Sequence, residues 1–350
     1  MNAPQQYPLA RQSAGVAPLR RPRSIRRTTS IDSTWPDGPA APWLMEGRAR
    51  DIVTPESGGH AIVVAEAGYD MLISPRREIL SLDAWPGDER IAQLIGVRAG
   101  GESRRQIREI LGDLAGTPLY QILDDFAGSS LVARWIWSQW HDDWQAAAAM
   151  ADVDKSHGRN GNMKDVCTGF AEGSAALDPD GITGRNFTDP AHVGPLPNPE
   201  DPDSWHPMPE QTGPAMRRAR RIDAWRDGDL VIVDAGFQDS GTSPAGGRRG
   251  VHEYRVHAEI DAATDTLLTL QALPLILPFA ECPGASVKAA RMVGRNVAEF
   301  RSAVLDILPG TLGCTHLNDV LRSLADVPAM MRELDKRVTQ NSATAGAPGA

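Results

Sequence analysis

Between Val251 and Ile260 the chain alternates without a break. His252, Tyr254, Val256, Ala258 and Ile260 fall on one side of an extended backbone, and Glu253, Arg255, His257 and Glu259 on the other. Successive side chains of a strand point to opposite faces, so this stretch reads as a strand with one apolar face. That face carries His252, while His257 points to water. A strand buried on one side needs antiparallel neighbours and a covering layer. Asp229–Asp234 precedes it as another strand. Beyond the Asp261–Asp265 turn, Thr266–Leu273 returns antiparallel until Pro274.

The N-terminal part is also mostly antiparallel β. Thr28–Ile31 and Leu44–Val53 flank the Pro36-Asp37-Gly38-Pro39 turn and predict a hairpin. Ala61–Ala65 and Asp70–Ile73 lie either side of a turn signal at Ala67-Gly68, and Glu78–Leu82 follows. The period then becomes helical at Ile91, Leu94 and Ile95, and again at Ile107, Ile110, Leu111 and Leu114, with Gly100-Gly101 between. Thr117-Pro118 opens a helix with Pro at its first position. Ser129 or Ser130 begins the next, whose Trp135, Trp140 and Trp144 suit a core or a subunit interface. A helix is expected over 285–308, stopped by Pro309-Gly310, and a last one from Thr315. The expected fold is α+β: an antiparallel sheet packed with C-terminal helices and a helical insertion over about 86–150. One domain covers 21–338, with a proline-rich loop over about 186–220 and disordered tails at 1–20 and 339–350. No internal repeat is evident.

Composition bounds the function. The chain has 350 residues, is 41% hydrophobic and carries a formal charge of −9. An acidic chain is poorly suited to nucleic acid or anionic membrane, and no apolar run approaches the roughly 18 residues that span a bilayer. The N-terminus has no apolar segment typical of a secretory signal, and the expected location is cytoplasmic. Three cysteines are too few for a disulfide scaffold. No nucleotide-cofactor motif is present. The expected partners are a small-molecule substrate and a second copy of the chain as a homodimer.

The residues suited to chemistry concentrate in Gly313-Cys314-Thr315-His316-Leu317-Asn318-Asp319. Thr315 reads as an N-cap, which places Cys314 and His316 at a helix start where exposed N–H groups favour a thiolate. Cys282 also precedes a helix, at Pro283. With the inward His252, the set His252, Cys282, Cys314 and His316 has the two thiols and two imidazoles that zinc or another divalent transition metal binds tetrahedrally, with Cys167 in reserve. Two alternatives stay open: a metal-free Cys314 nucleophile paired with His316, and buried thiols with satisfied histidines. Glu281 and Asp319 are near enough in sequence to orient an imidazole. Arg26 and Arg27 could bind an anionic group of a substrate by paired hydrogen bonds. His192 and His206, in the proline-rich loop, read as solvated.

Gly313-Cys314-Thr315-His316-Leu317, together with Val251-His252-Glu253, Cys282-Pro283 and Arg26-Arg27-Thr28-Thr29, resembles a bacterial family of unknown function, DUF2889. The resemblance extends over most of 23–330 and is most specific at its C-terminal motif. It implies a grouping and no activity, and adds weight to His252, Cys282, Cys314 and His316 acting together. Two functions are carried forward. One is a hydrolase or lyase that polarises a carbonyl of an anionic metabolite with a metal held by the Cys/His set. The other is a non-catalytic binding or assembly protein accessory to a metabolic enzyme, with that set structural.

Overall fold

A computed structural model describes residues 4–140, 163–177 and 191–345. Its frame is a nine-stranded antiparallel sheet. The strands are β1 (Ser24–Thr34), β2 (Trp43–Thr54), β3 (Ile62–Ile73), β4 (Ile79–Trp85), β5 (Ala191–Val193), β6 (Ala215–Asp227), β7 (Leu230–Thr242), β8 (Arg248–Asp261) and β9 (Leu267–Ile276). They lie in the order β4-β3-β2-β1-β6-β7-β8, with β9 and β5 sharing the outer edge of β8. The α+β expectation holds. No helix among the described residues is long and apolar enough to cross a membrane.

The order holds an unexpected symmetry. Two four-stranded meanders, β1–β4 and β6–β9, start at the centre and run outward, joined where β1 pairs with β6. In that pairing Arg26 stands opposite Asp223 and Asp32 opposite Arg217, so Arg26-Arg27 and Arg217-Arg218 occupy equivalent places about a two-fold axis. The equivalence continues outward. Arg27 is opposite Asp51 as Arg218 is opposite Asp239. Asp51 faces Ala65 and Asp239 faces His252, each just before a register shift. The next hairpins shift at Leu72/Ile73 and Glu259/Ile260. Gly96 and Gly294 both take φ +84; Gly96 N donates to Ile79 O and Gly294 N to Leu267 O. With these pairs in register, sequence kinship becomes visible: Arg-Arg-x-x-x-Ile-Asp recurs at 26–32 and 217–223, and Ile79-Leu80-Ser81-Leu82-Asp83-Ala84-Trp85-Pro86 matches Leu267-Leu268-Thr269-Leu270-Gln271-Ala272-Leu273-Pro274. The chain therefore contains an internal repeat, contrary to the expectation from sequence.

Each half covers its sheet with helices. In the first these are α1 (Gly101–Leu111) and α2 (Pro118–Ala133), followed by α3 (Trp137–Trp140). In the second they are α4 (Gly284–Lys288), α5 (Phe300–Ile307), α6 (Thr315–Ser323) and α7 (Val327–Ala345). The helical segment after β4 thus sits where the C-terminal helices sit in the other half. Two apolar cores result, and they exchange strand residues: Ile25 of β1 packs in the second core and its counterpart Met216 of β6 in the first. Burying side chains of this size stabilises by about 1.5–3 kcal/mol each, so the halves share cores as well as a seam.

Between the cores lies a layer of buried ions. On the helical side Arg27 donates to Asp51, Asp326 and the Gly116 carbonyl, Arg218 to Asp239 and Asp319, and Arg220 to Asp125. On the opposite face Arg26 is held by Asp223 and Arg217 by Asp32. The proline-rich segment lies across that face: Ser204 O accepts from Arg26, Pro209 O from Arg217, and His206 bonds with Ser30 and Thr28. His206 is buried, not solvated, and the arginine run at 217–221 is a strand of internal ion pairs. Arginine suits such sites because its fork meets a carboxylate bidentately.

Other local expectations change. Ile62–Ile73 is one strand with no turn at Ala67-Gly68; a Cβ on Gly68 would lie 2.1 Å from the Trp85 ring, so this glycine admits an aromatic neighbour. The helix expected over 285–308 is broken by Gly294 at positive φ. Residues 4–20, expected to be disordered, donate and accept backbone hydrogen bonds at Tyr7, Ala10, Gln12 and Ala17. Trp137 packs edge-on against Trp35, whereas Trp144 lies outside the described residues.

Candidate functional site

The site lies where β7, β8 and the start of α6 meet. Alternation along β8 aims His252 inward, and the register places it opposite Asp239 of β7. Helix α6 begins at Thr315 with Cys314, not Thr315, as its N-cap residue, and so brings His316 over the same point. The imidazoles of His252 and His316 stack, with ring centroids 3.4 Å apart and planes 15° from parallel. His252 Nδ1 lies 3.8 Å and His316 Nε2 3.5 Å from Asp239 Oδ2. The three ligand-type atoms all fall within 4.8 Å of one another. Both of these nitrogens are buried and have no hydrogen-bond partner. An orphaned buried polar atom is costly unless something satisfies it.

The electrostatics leave each ring with one nitrogen able to act as a lone-pair donor. Burial, reinforced by the neighbouring His316, holds His252 well below the usual imidazole range, and Asp239 does not reverse it. Burial and then Arg218 bring His316 down to about 3. Both rings are neutral near pH 7, the state in which imidazole binds metal. Asp239 is held open from behind: Arg218 Nε and Nη2 each donate to one of its oxygens at 2.9 Å. Burial alone would pull Arg218 down, but Asp239 and Asp319 outweigh it and keep the guanidinium charged. Asp319 accepts from both Arg218 and Arg104. It thus anchors the arginine that positions Asp239 and does not orient an imidazole itself. Each Asp239 oxygen keeps a second lone pair for another partner.

The two histidines face a cavity of about 300 Å³. Its apolar wall includes Leu131, Val132, Trp135, Phe170, Val251 and Phe279, and Cys167, Cys282 and Cys314 also border it. The structure thus brings the sequence-derived set His252, Cys282, Cys314 and His316, and the reserve Cys167, around one pocket. It does not join the thiols to the imidazoles in one ligand group: the partner of the two histidines is Asp239. Cys314 Sγ is 3.9 Å from His316 Nδ1, the ring nitrogen turned from Asp239. The helix start does not make a thiolate either. Burial pushes Cys314 up despite the Tyr254 hydroxyl and the backbone N–H groups of Leu317 and His316. Cys282 is driven well up by burial and neighbouring Cys314, and Cys167 to about 12 for the same reasons.

Arg26 and Arg27 do not serve as the anion-binding pair. Both are about 1% exposed, bound to Asp223 and Asp51 respectively, and absent from the cavity lining. Glu281 accepts from Gln6 and from the Ala175 backbone N–H, a structural role. Asp239 has no local signal in the sequence, and Arg218 reads there only as part of the basic run at 217–221. The available signal was that Asp239 sits at the end of β7 in the position that Asp51 holds in β2.

The fold and site define an α+β protein with a buried carboxylate–histidine group at the floor of an apolar pocket. Residues 216–330 match the family model described as a protein of unknown function, DUF2889. The match includes Asp239, His252, Cys282, Cys314 and His316; the Arg26-Arg27-Thr28-Thr29 element of the resemblance lies outside it. No curated protein and no solved structure matches the chain.

Proposed function

We propose that the protein is a metal-dependent enzyme of hydrolase or lyase type acting on a small carbonyl-containing molecule, with a divalent transition metal held by Asp239, His252 and His316. One observation carries the reading: two neutral, partnerless imidazole nitrogens converge with a carboxylate oxygen beneath a cavity of about 300 Å³. Two histidines and one carboxylate on one side of an ion suit zinc or iron and leave positions open for ligands. A bound ion would supply Lewis acidity or an activated water. The chain's own contribution is orientation and exclusion of water. Arg218 fixes the carboxylate, the β8 register fixes His252, and the aromatic wall takes an apolar substrate body. With Arg26 and Arg27 engaged elsewhere, neither is the group that would meet an anionic part of the substrate, and the arginine bordering the cavity, among the described residues, is Arg134.

The test is metal analysis of the purified chain after dialysis against zinc(II) or cobalt(II), beside His252→Ala and His316→Ala. Near-stoichiometric metal in the wild type, lost in both variants, supports the reading. Metal-free wild type, or variants that retain the metal, overturns it. The second reading, a non-catalytic binding protein, draws on Arg218, which already neutralises Asp239 without any ion. Binding of an apolar dye by metal-free protein, unchanged by added zinc, would favour it.

A further inference from the structure

The two-fold relation maps the site onto the first half, residue by residue. Asp239 corresponds to Asp51 and His252 to Ala65, through the β2–β3 and β7–β8 registers. The helices follow: Gly96 matches Gly294, and 21 residues beyond each glycine Thr117, the N-cap residue of α2, matches Thr315, the first residue of α6. His316 then corresponds to Pro118 and Asp319 to Gln121. Positions agree with the alignment: the Gln121 amide lies beside Arg27 Nη1, where in the other half Asp319 accepts from Arg218 Nη1, although the amide itself is oriented to donate to Asp326 and accept from Arg220. The carboxylates are held alike, with Arg27 chelating Asp51 as Arg218 chelates Asp239. A cavity of about 220 Å³ survives at the equivalent place, bordered by Ala65, Thr117 and Pro118 among others. The carboxylate, its arginine and the hollow remain, while both imidazole positions hold residues that cannot ligate.

We infer that the chain is a fused tandem duplication in which the N-terminal half carries a silenced copy of the carboxylate–histidine site, so that one chain presents two related pockets and one metal centre. This rests on the metal reading above. The family match supports the unit boundary: residues 216–330 run from the start of β6 into α7 and cover one copy. The walls explain the asymmetry. The active-side cavity borrows Val166, Cys167 and Phe170 from the connection between the halves, and Trp135 from the end of the first half's helices. It also uses Phe279 and Cys282 from 275–293, a stretch longer than the 87–95 that joins the equivalent Pro86 and Gly96. The first half serves as a built-in partner subunit: it supplies Ile25 to the second core and Arg104 to Asp319.

Restoring the imidazoles tests this in the full-length chain. Cobalt(II), whose visible absorption reports its coordination, is titrated into wild type, Ala65→His/Pro118→His, and His252→Ala/His316→Pro. The same Ala65→His/Pro118→His change is also made within the last. Expected stoichiometries are one, two, zero and one. Ala65→His alone, a single change at a pocket wall, should add a weaker second binding event even if the double variant folds poorly. Wild type at one with no second event in either Ala65 variant overturns the inference alone. Wild type at zero overturns the metal reading, and the designation of the first pocket as a lost metal site with it.

Discussion

His252 and His316 lie ring on ring, 3.4 Å between centroids, each with a nitrogen aimed at the same oxygen of Asp239. One comes from a strand and the other from the first turn of a helix, so neither can shift without the other. Changes that move Asp239 should therefore be read at both histidines.

Asp239→Asn should be strongly destabilising. It leaves Arg218 buried with half its compensation, and breaking a buried pair by removing one partner typically costs about 3–5 kcal/mol. Urea unfolding would measure it. A change under about 1 kcal/mol would mean that Asp319 alone satisfies Arg218.

Gly128→Ala probes the same arginine from the other side. A Cβ there would lie 2.1 Å from Asp319 Oδ2 and 2.2 Å from Arg218 Nη1. The Arg218–Asp319 pair must yield, and overpacking of this kind costs about 1–3 kcal/mol. Gly101→Ala, which meets nothing within 4 Å, is the control and should be neutral or slightly stabilising. Equal effects from the two changes would contradict the packing.

His206 should tie stability to acid. Burial, then Arg50 and Arg217, lower it to about 3 from an ordinary value near 6.5. Between those values the unfolded chain takes up a proton that the folded chain refuses. Its contribution is full above about pH 6.5 and is lost as the pH falls towards 3, on the order of a few kcal/mol in all. His206→Asn should flatten this limb of a stability–pH curve measured from pH 7 to 4. An unchanged slope would show that other groups set it.

The thiols should behave as packing groups. Cys167, Cys282 and Cys314 are buried and held protonated, and thiolate is the reactive form. A chromogenic disulfide reagent should label them slowly in the native state and fully in denaturant. Cys282→Ser/Cys314→Ser should keep its metal. Loss of metal in that variant would restore the thiols as ligands.

Much of the fold was legible because alternation and turn chemistry are local. The β8 pattern predicted both the strand and the inward direction of His252. Legibility failed where a distant contact decided the outcome. Ala67-Gly68 looks like a turn until the Trp85 ring is placed over Gly68. The duplication was hidden because identities are scattered and connecting segments differ in length, so equivalent residues drift out of step. Strand registers restore them. At the site, the cysteines and histidines stood out by type and do converge on one pocket. Asp239 and Arg218 did not stand out, since Arg–Asp pairs are common and only the buried geometry distinguishes this one.

The seam at the two-fold axis has a last consequence. Thr29 of β1 sits opposite Arg220 of β6 at its midpoint, and Arg220 is neutralised by Asp125 from the first half. If the C-terminal halves of two chains paired β6 to β6 instead, two guanidinium groups would meet there. Each would find Ser323 where Asp125 should be. Like charges directly opposed in a sheet repel, so the junction favours pairing of a first half with a second half over pairing of two second halves.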